Sequence, residues 1–165
     1  MTGPESIAPD EAARVATPAD LAVVAALASN LRAQLTAERG GPLWAAHDAL
    51  PSPTAASLRD RLDHPEQLTI VGTLDDHVLA YGLAHTEAIA DGTGRLGVID
   101  ELFVAEPARA VSLGATVLAA LVAWCTDARC IGIDATALPG DRLAKNFFEA
   151  AGFKARRLVM HKPVT

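Results

Sequence analysis

Basic residues are scarce in this sequence, and their shortage argues against one class of function. The chain has 14 Lys and Arg against 20 Asp and Glu, which gives a net charge of −6 and a pI of about 5.3. Non-specific nucleic-acid binding needs a basic surface that displaces counterions, so we expect no nucleic-acid partner. Any anionic ligand must be held by local donors, because the overall field does not attract it.

Cysteines and long apolar runs are also few. Cys125 and Cys130 lack zinc-site spacing, and His47 and His85 are isolated, so we expect reduced thiols and no metal. The first residues show neither the basic nor the apolar segment of a signal peptide. The uncharged run Ala110–Thr126 falls short of the roughly 20 residues that cross a bilayer. These features predict a cytoplasmic protein with no membrane partner.

Half of the 165 residues are apolar, which is enough for one domain with one core. We predict a loose tail over 1–10 and one domain over 11–165. Hydrophobic periodicity predicts strands near 13–16 and over 67–74, 77–89, 94–104, 130–137 and 154–162. It predicts helices over about 17–35, 54–62, 111–125 and 141–151, with a loop or broken helix over 36–53. This order predicts an α/β fold: a mixed, mostly antiparallel sheet with helices on both faces.

The stretch FVAEPARAVSLGATVLAAL, residues 103–121, joins a strand to an apolar helix through small residues and one cation. A helix N-terminus presents unpaired N–H groups and partial positive charge, and small residues admit a ligand close to the backbone. With Arg109 beside it, this junction could bind a pyrophosphate. A plain helix start with an exposed arginine fits the same residues.

Two motifs together carry a family resemblance. The sequence R-A-V-S-L-G over 109–114 precedes the apolar helix, and D-R-L-A-K-N-F-F-E-A-A-G-F follows over 141–153. In order, spacing and context they resemble the acetyl-CoA core of the GCN5-related N-acetyltransferase (GNAT) family. The resemblance implies the single-domain fold of that family, with acetyl-CoA as co-substrate and no metal.

The resemblance also implies which residues hold the co-substrate. The strand edge Leu102–Val104 would pair with the pantetheine arm, and the backbone that follows Arg109 would cradle the pyrophosphate. A helix beginning at Asp141 would lie beside the arm, where Arg142 and Lys145 either contact the adenosine phosphates or remain surface cations. The implied co-substrate-binding residues are Leu102, Phe103, Val104, Arg109, Ala110, Val111, Ser112, Leu113, Gly114, Ala115, Asp141, Lys145 and Phe148.

Three residues depart from the family pattern. Ser112 replaces a motif glycine, Asp141 replaces an asparagine, and Phe148 stands where the family has a tyrosine that protonates the departing thiolate. A general acid typically contributes about 10²–10⁴-fold, so Phe148 weakens the expectation of fast catalysis. Tyr81, the only tyrosine, or a water molecule could supply that proton instead.

Acetylation of an amine needs a base, and Asp100 and Glu101 are adjacent on the predicted central strand. Strand alternation puts them on opposite faces unless a bulge intervenes, so only one is expected to face the thioester. We favour Glu101 over Asp100 as the catalytic residue, with Asp134 as a third candidate. An ion pair with a neighbouring helix is the structural alternative for this acidic pair.

The acceptor side in this family is built from the first two helices and nearby loops, which here carry Trp44 and His47, with Asp48, His85 and Glu87 as further candidates. Trp44 could equally fill a core gap under the Pro/Gly-rich loop. The resulting hypothesis is an acetyl-CoA-dependent N-acetyltransferase that acts on a primary amine in a ternary complex. A non-catalytic acyl-CoA-binding module of the same fold is the alternative, and a homodimer is possible.

Overall fold

The structure is a computed structural model that describes residues 10–52 and 54–164. Most of the predicted tail, residues 1–9, therefore lies outside the described residues. Five strands form one sheet: β1 (Glu11–Val15), β2 (Gln67–Leu74), β3 (His77–Ala88), β4 (Arg95–Val104) and β5 (Cys130–Ala135). Five helices accompany it: α1 (Leu21–Thr36), α2 (Gly41–His47), α3 (Thr54–Leu62), α4 (Leu113–Asp127) and α5 (Arg142–Ala150).

The strands lie in chain order, β1-β2-β3-β4-β5, and every neighbouring pair is antiparallel except β4 with β5. Helix α4 forms the crossover between β4 and β5. Two parallel neighbouring strands need a long connection of this kind. The predicted mixed, mostly antiparallel sheet is therefore confirmed. Asp75 and Asp76 form the β2–β3 turn with φ of 47° and 66°, the left-handed pair that a two-residue hairpin needs.

Two apolar cores cover the two faces of the sheet. Helices α1, α2 and α3 pack on one face, where Tyr81, Leu83 and Phe103 point from β3 and β4. Helix α4 covers the other face against Ile70, Ala84 and Ile99. The prediction of helices on both faces is therefore confirmed.

Two sequence-based boundaries need correction, and one open alternative is decided. The prediction of a strand over 154–162 is wrong, because these residues pair with no other strand in the described chain. Helix α4 begins at Leu113 rather than residue 111, since a one-turn 3-10 helix, Glu106–Ala108, and a turn precede it. The stretch over 36–53, predicted as a loop or a broken helix, contains α2. This helix begins at Gly41 and has Pro42 in its first turn, where a backbone N–H would have no partner within the helix and its absence costs nothing. Over the residues described, no helix is both long and apolar enough to cross a bilayer.

Candidate active site at the divergence of β4 and β5

Strands β4 and β5 pair over only half the length of β4. The last paired residues are Ile99 and Ala135, whereas β4 continues to Val104. The β5-facing side of Leu102–Val104 therefore has no strand partner in the described chain, which leaves an edge that an extended ligand could join. The predicted pantetheine edge lies on this segment.

A cavity of about 50 Å³ opens where the two strands separate. Its walls come from α1, α2, β4, the loop after β5 and α5. The lining residues are Leu31, Leu35, Trp44, Asp100, Glu101, Leu102, Thr136, Ala137, Leu138, Asp141, Ala144 and Phe148. Six of the sequence-predicted site residues therefore line one cavity, although they are far apart in the chain: Trp44, Asp100, Glu101, Leu102, Asp141 and Phe148.

A β-bulge in β4 brings both predicted carboxylates to the same face of the sheet. Leu83 of β3 pairs with Glu101, and the next residue, Ala84, pairs with Ile99, so Asp100 is the extra residue. Asp100 then contacts α3, and Glu101 contacts the loop after α2, on the face that α1–α3 cover. Strict alternation, which predicted opposite faces, does not hold here.

Glu101 is a buried carboxylate on the cavity wall, with only 7% of its surface exposed. The Tyr81 hydroxyl donates to its Oε2 at 2.6 Å, and the Leu50 backbone N–H donates to its Oε1 at 3.2 Å. Burial raises the pKa of Glu101, because the charged form loses solvation, while these two hydrogen bonds oppose part of that rise. A carboxylate with a raised pKa is a better proton acceptor near neutral pH.

Asp100 is engaged by two cationic or donor groups. Arg61 of α3 donates from Nη2 to Oδ2 at 2.8 Å, and the His85 ring Nδ1 lies 2.8 Å from Oδ1. The Arg61 side chain is only 11% exposed, and this carboxylate is the counter-ion that compensates its largely buried charge. Asp100 therefore forms an ion pair with a neighbouring helix, which was the structural alternative expected for the acidic pair.

The segment after α1 is fixed over the site by Arg32. Its Nη1 donates to the Ala45 carbonyl at 2.6 Å, and its Nη2 donates to the Leu50 carbonyl. Trp44 of α2 is buried in the core and also lines the cavity, so both of its predicted roles are combined. This clamp places the Leu50 N–H on Glu101 and so links α2 to the carboxylate.

The N-terminus of α4 already holds an anion from the chain itself. Glu11 of β1 accepts from the Ser112 backbone N–H at 3.3 Å through Oε1 and from the Ser112 hydroxyl at 2.9 Å through Oε2. The Arg109 side chain does not face this carboxylate: its Nε donates to the Val104 carbonyl at 2.9 Å and its Nη2 to Gln34 Oε1 at 2.8 Å. Arg109 therefore ties the loop to β4 and α1. The groups that donate hydrogen bonds to the anion are the backbone N–H and the hydroxyl of Ser112.

The residues of this loop and of the first turn of α4 differ in their exposure to solvent. Ala110, Ser112 and Ala115 are exposed, Val111 is half-buried, and Leu113 and Gly114 are buried. A Cβ on Gly114 would lie 3.3 Å from the Val104 side chain, so this glycine lets α4 approach β4 closely. Leu113 can offer only its backbone to a ligand, because its side chain is core.

Helix α5 forms the remaining wall. Asp141 caps it by accepting from the Ala144 N–H at 3.0 Å, as the sequence predicted, and also lines the cavity. Phe148 also lines the cavity. It places an apolar ring where the family pattern has a tyrosine that protonates the departing thiolate. Lys145 pairs with Glu149 at 2.7 Å on the exposed side of the helix.

Several predicted residues lie elsewhere. His47 is exposed and pairs with Asp48 at 2.7 Å, outside the cavity. Asp134 pairs with Arg156 and lines a different groove, so it does not share the cavity with Glu101. The Phe103 side chain is buried against Tyr81, with ring centroids 6.4 Å apart, so only its backbone can meet a ligand.

Sequence reasoning missed the partners that set the state of the carboxylates. Arg61, His85, Arg32 and Glu11 come from four different elements, and no local motif relates them to Asp100, Glu101 or Ser112. Tyr81 was considered as an acid for the departing thiolate, but its hydroxyl is fully buried and donates to Glu101. Tyr81 lies on the strand next to that of Glu101, where it pairs with Phe103, and this proximity became visible only with the β3–β4 pairing.

Comparison with known proteins gives a family match. The family described as "Acetyltransferase (GNAT) family" matches residues 32–153, about three quarters of the chain. No curated protein matches the chain.

Solved structures share the fold at low sequence identity. A tetramutant of the BH1408 protein from Bacillus halodurans superposes with a TM-score of 0.77 at 18% identity, covering 92% of this chain and 99% of that one. The aminoglycoside N-acetyltransferase AAC(6')-Iy in complex with CoA gives 0.73 at 15% identity, with 96% and 98% covered. An aminoglycoside acetyltransferase from an uncultured soil metagenomic sample, in complex with sisomicin, gives 0.70 at 15% identity, with 94% and 95% covered.

Proposed function

Because the chain belongs to the GNAT acetyltransferase family, we propose that it transfers an acetyl group from acetyl-CoA to a primary amine by direct attack in a ternary complex. The observation that carries the proposal is Glu101, a buried, hydrogen-bonded carboxylate on the wall of the cavity where β4 and β5 diverge. A primary amine is mostly protonated near neutral pH and must lose a proton before it can attack. Glu101 is the group that accepts that proton, directly or through one water.

The residues around the cavity fit coenzyme A. The unpaired edge Leu102–Val104 offers backbone groups to the two amides of the pantetheine arm. The Ser112 N–H and hydroxyl hold a carboxylate in this structure, so the same donors suit a phosphate oxygen. When bound there, acetyl-CoA supplies the acetyl group as an activated thioester.

Each carboxylate has a separate role in this proposal. Glu101 is the catalytic residue, and the Tyr81 hydroxyl and the Leu50 N–H are positioning groups that fix its orientation. Asp100 anchors Arg61 and His85 and supports the bulge that turns Glu101 to the cavity. Trp44 and Leu35 exclude water from the same space, which strengthens electrostatic interactions inside it.

A small-molecule amine is the acceptor class we propose. Two of the similar structures are aminoglycoside acetyltransferases by name, and such acceptors are polyamines. The acidic net charge of −6 attracts cationic acceptors. An acceptor screen should therefore include aminoglycosides, diamines and a lysine peptide, with release of the CoA thiol as the readout.

A non-catalytic acyl-CoA-binding module is the second candidate, favoured by one observation. Phe148 presents an apolar ring to the cavity and cannot donate a proton. A thiol with a pKa near 8.5 still leaves without a general acid, so the substitution slows the step rather than forbidding it. Release of the CoA thiol above background with any amine would favour the acetyltransferase over the non-catalytic module.

Coenzyme A is expected to stabilise the protein against heat. At about 100 times its dissociation constant a ligand adds about 2.7 kcal/mol, which for a chain of this size raises Tm by roughly 5–10 °C. The measurement is differential scanning calorimetry with CoA, acetyl-CoA and, as a control, adenosine monophosphate. An unchanged Tm with saturating CoA and acetyl-CoA would refute both candidate functions.

Replacing Glu11 with Ala is expected to tighten CoA binding by about threefold to tenfold, since the carboxylate competes with phosphate for Ser112. Isothermal titration of CoA measures the change. Asp127→Ala is the matched control: it removes the same charge at the opposite end of α4 and should leave the dissociation constant unchanged. Equal affinities of Glu11→Ala and the wild type would place the phosphates elsewhere.

A further inference from the structure

The backbone of β4 shows which of its groups an extended ligand can reach. The Ala105 N–H donates to the Leu79 carbonyl at 2.8 Å, so the backbone groups of Ala105 point toward β3. These groups alternate in direction along a strand, and those of Leu102 and Val104 therefore point away from β3, toward the gap between β4 and β5. A ligand that joins this edge finds its hydrogen-bond partners at these two residues.

The gap has one open and one closed end, which orients such a ligand. The N-terminus of α4 lies at the open end, where a Cβ on Gly114 would be 3.3 Å from the Val104 side chain. The phosphates of a thioester co-substrate belong at this end, beside the helix N-terminus. The gap closes at the Ile99–Ala135 pair. The acyl end must therefore stop near Leu102, inside the β4–β5 cavity.

Three large apolar side chains wall this cavity on the face of the sheet that α1–α3 cover. Leu31 and Leu35 lie one turn apart on α1, and Trp44 lies on α2. They are 6%, 8% and 6% exposed, so each one is packed into the core as well as lining the cavity. We call them the acyl wall.

The volume of the cavity suits an acetyl group and little more. It measures about 50 Å³, and roughly 10–15 Å³ of such space accommodates one water-sized group. The cavity therefore takes about four groups of this size. The carbonyl carbon, carbonyl oxygen and methyl group of an acetyl, together with the attacking nitrogen, fill it. A propionyl group adds a methylene for which no space is left.

The acyl wall is held in place rather than free to retreat. Arg32 follows Leu31 on α1 and donates to the Ala45 carbonyl at 2.6 Å and to the Leu50 carbonyl. These two hydrogen bonds fasten the segment that carries Trp44 to α1. A longer acyl chain must force well-packed side chains out of their rotamers, and overpacking of this kind is unfavourable.

We propose that Leu31, Leu35 and Trp44 are specificity-determining residues that restrict the acyl donor to acetyl-CoA and exclude propionyl-CoA and longer thioesters. This inference rests on the proposed acetyltransferase function, because it assigns the cavity to the acyl group of the donor. One methylene in a closed apolar pocket changes kcat/KM by about 10–200-fold, which is the selectivity expected between acetyl and propionyl.

The test compares kcat/KM for acetyl-, propionyl- and butyryl-CoA with one amine, using release of the CoA thiol. The wild type is expected to prefer acetyl-CoA over propionyl-CoA by about 10–200-fold, and Leu31→Ala, Leu35→Ala and Trp44→Leu should each lower this ratio by about tenfold. The donors are compared on the same preparation, so any loss of folded protein cancels from the ratio. Leu27→Ala is the matched control: Leu27 lies one turn earlier on α1 and is 7% exposed, but it does not line the cavity, so the ratio should stay at the wild-type value.

Titration calorimetry gives the same comparison without turnover. Acetyl-CoA is expected to bind the wild type more tightly than butyryl-CoA, and the difference should shrink in Leu35→Ala but not in Leu27→Ala. If acetyl-CoA binds and no amine is acetylated, the catalytic part of the proposed function fails, and these dissociation constants alone decide the inference. If no CoA species binds, the proposed function and the inference both fail.

Two results would overturn the inference and leave the acetyltransferase function intact. One is a wild type that uses acetyl- and propionyl-CoA equally well. The other is a set of acyl-wall variants that keep the wild-type donor ratio while KM for the amine rises, which would assign these side chains to the acceptor.

Discussion

Replacing Glu101 with Gln is expected to lower kcat by about 10²–10⁴-fold, the usual contribution of a general base. The amide keeps the shape of the side chain and can still accept from Tyr81, but it cannot accept a proton. CoA affinity should change by less than about twofold, because Glu101 contributes to the chemical step and not to phosphate binding. Steady-state kinetics and CoA titration on the same preparation measure both quantities.

Asp100→Asn is the matched control for this prediction. It changes a neighbouring carboxylate to its amide on the same strand and the same face. We expect it to cost about 1–3 kcal/mol of stability, since Arg61 loses its charged partner, while kcat falls by less than about tenfold. If Asp100→Asn lost the larger share of kcat at unchanged stability, the roles assigned to the two carboxylates would have to be exchanged.

The pH dependence follows from the same geometry. Only ionised Glu101 accepts a proton, and burial raises its pKa, so kcat/KM should fall on the acid side at a pH above the ordinary Glu value of about 4.3. Tyr81→Phe removes a hydrogen bond that lowers the pKa of Glu101, so the acid limb should move to higher pH. A limb that stays in place in Tyr81→Phe would show that a different group titrates.

Local physical chemistry made much of the fold predictable. The Asp75-Asp76 turn, the Asp141 cap and the apolar face of α1 depend on neighbours within one turn of the chain, and the structure has all three. The β4–α4 junction was also visible as a motif. Long-range partners were not visible, because Glu11 reaches Ser112 across 101 residues and Arg61 reaches Asp100 across 39.

Two of the wrong expectations have separate physical causes. Alternation failed at Asp100 because one extra residue in β4 reverses the side chains on one side of the bulge, and no residue type marks that position. The strand over 154–162 failed because composition describes what a segment prefers, whereas a strand needs a partner.

Gly41→Ala is expected to destabilise the fold by about 3 kcal/mol, because the new methyl group would overlap main-chain atoms that cannot move independently. Its Cβ would lie 1.8 Å from the Leu35 carbonyl oxygen and 2.8 Å from the carbonyl carbon, at the junction of α1 and α2. Thermal unfolding measures the loss, which corresponds to a fall in Tm of roughly 6–12 °C. Gly92→Ala is the control: its φ of +76° strains an Ala by about 1 kcal/mol, but no atom lies within 4 Å of the new Cβ.

Gly41→Ala should also weaken a hydrogen bond to the catalytic carboxylate, Glu101. Helix α2 carries Trp44, and the Leu50 N–H just beyond it donates to Glu101, so a displaced α2 loosens that hydrogen bond. Because this bond lowers the pKa of Glu101, the acid limb of kcat/KM should shift to higher pH in Gly41→Ala and stay unchanged in Gly92→Ala. A Gly41→Ala protein as stable as Gly92→Ala, with the wild-type pH profile, would mean that α2 does not hold Glu101 in place.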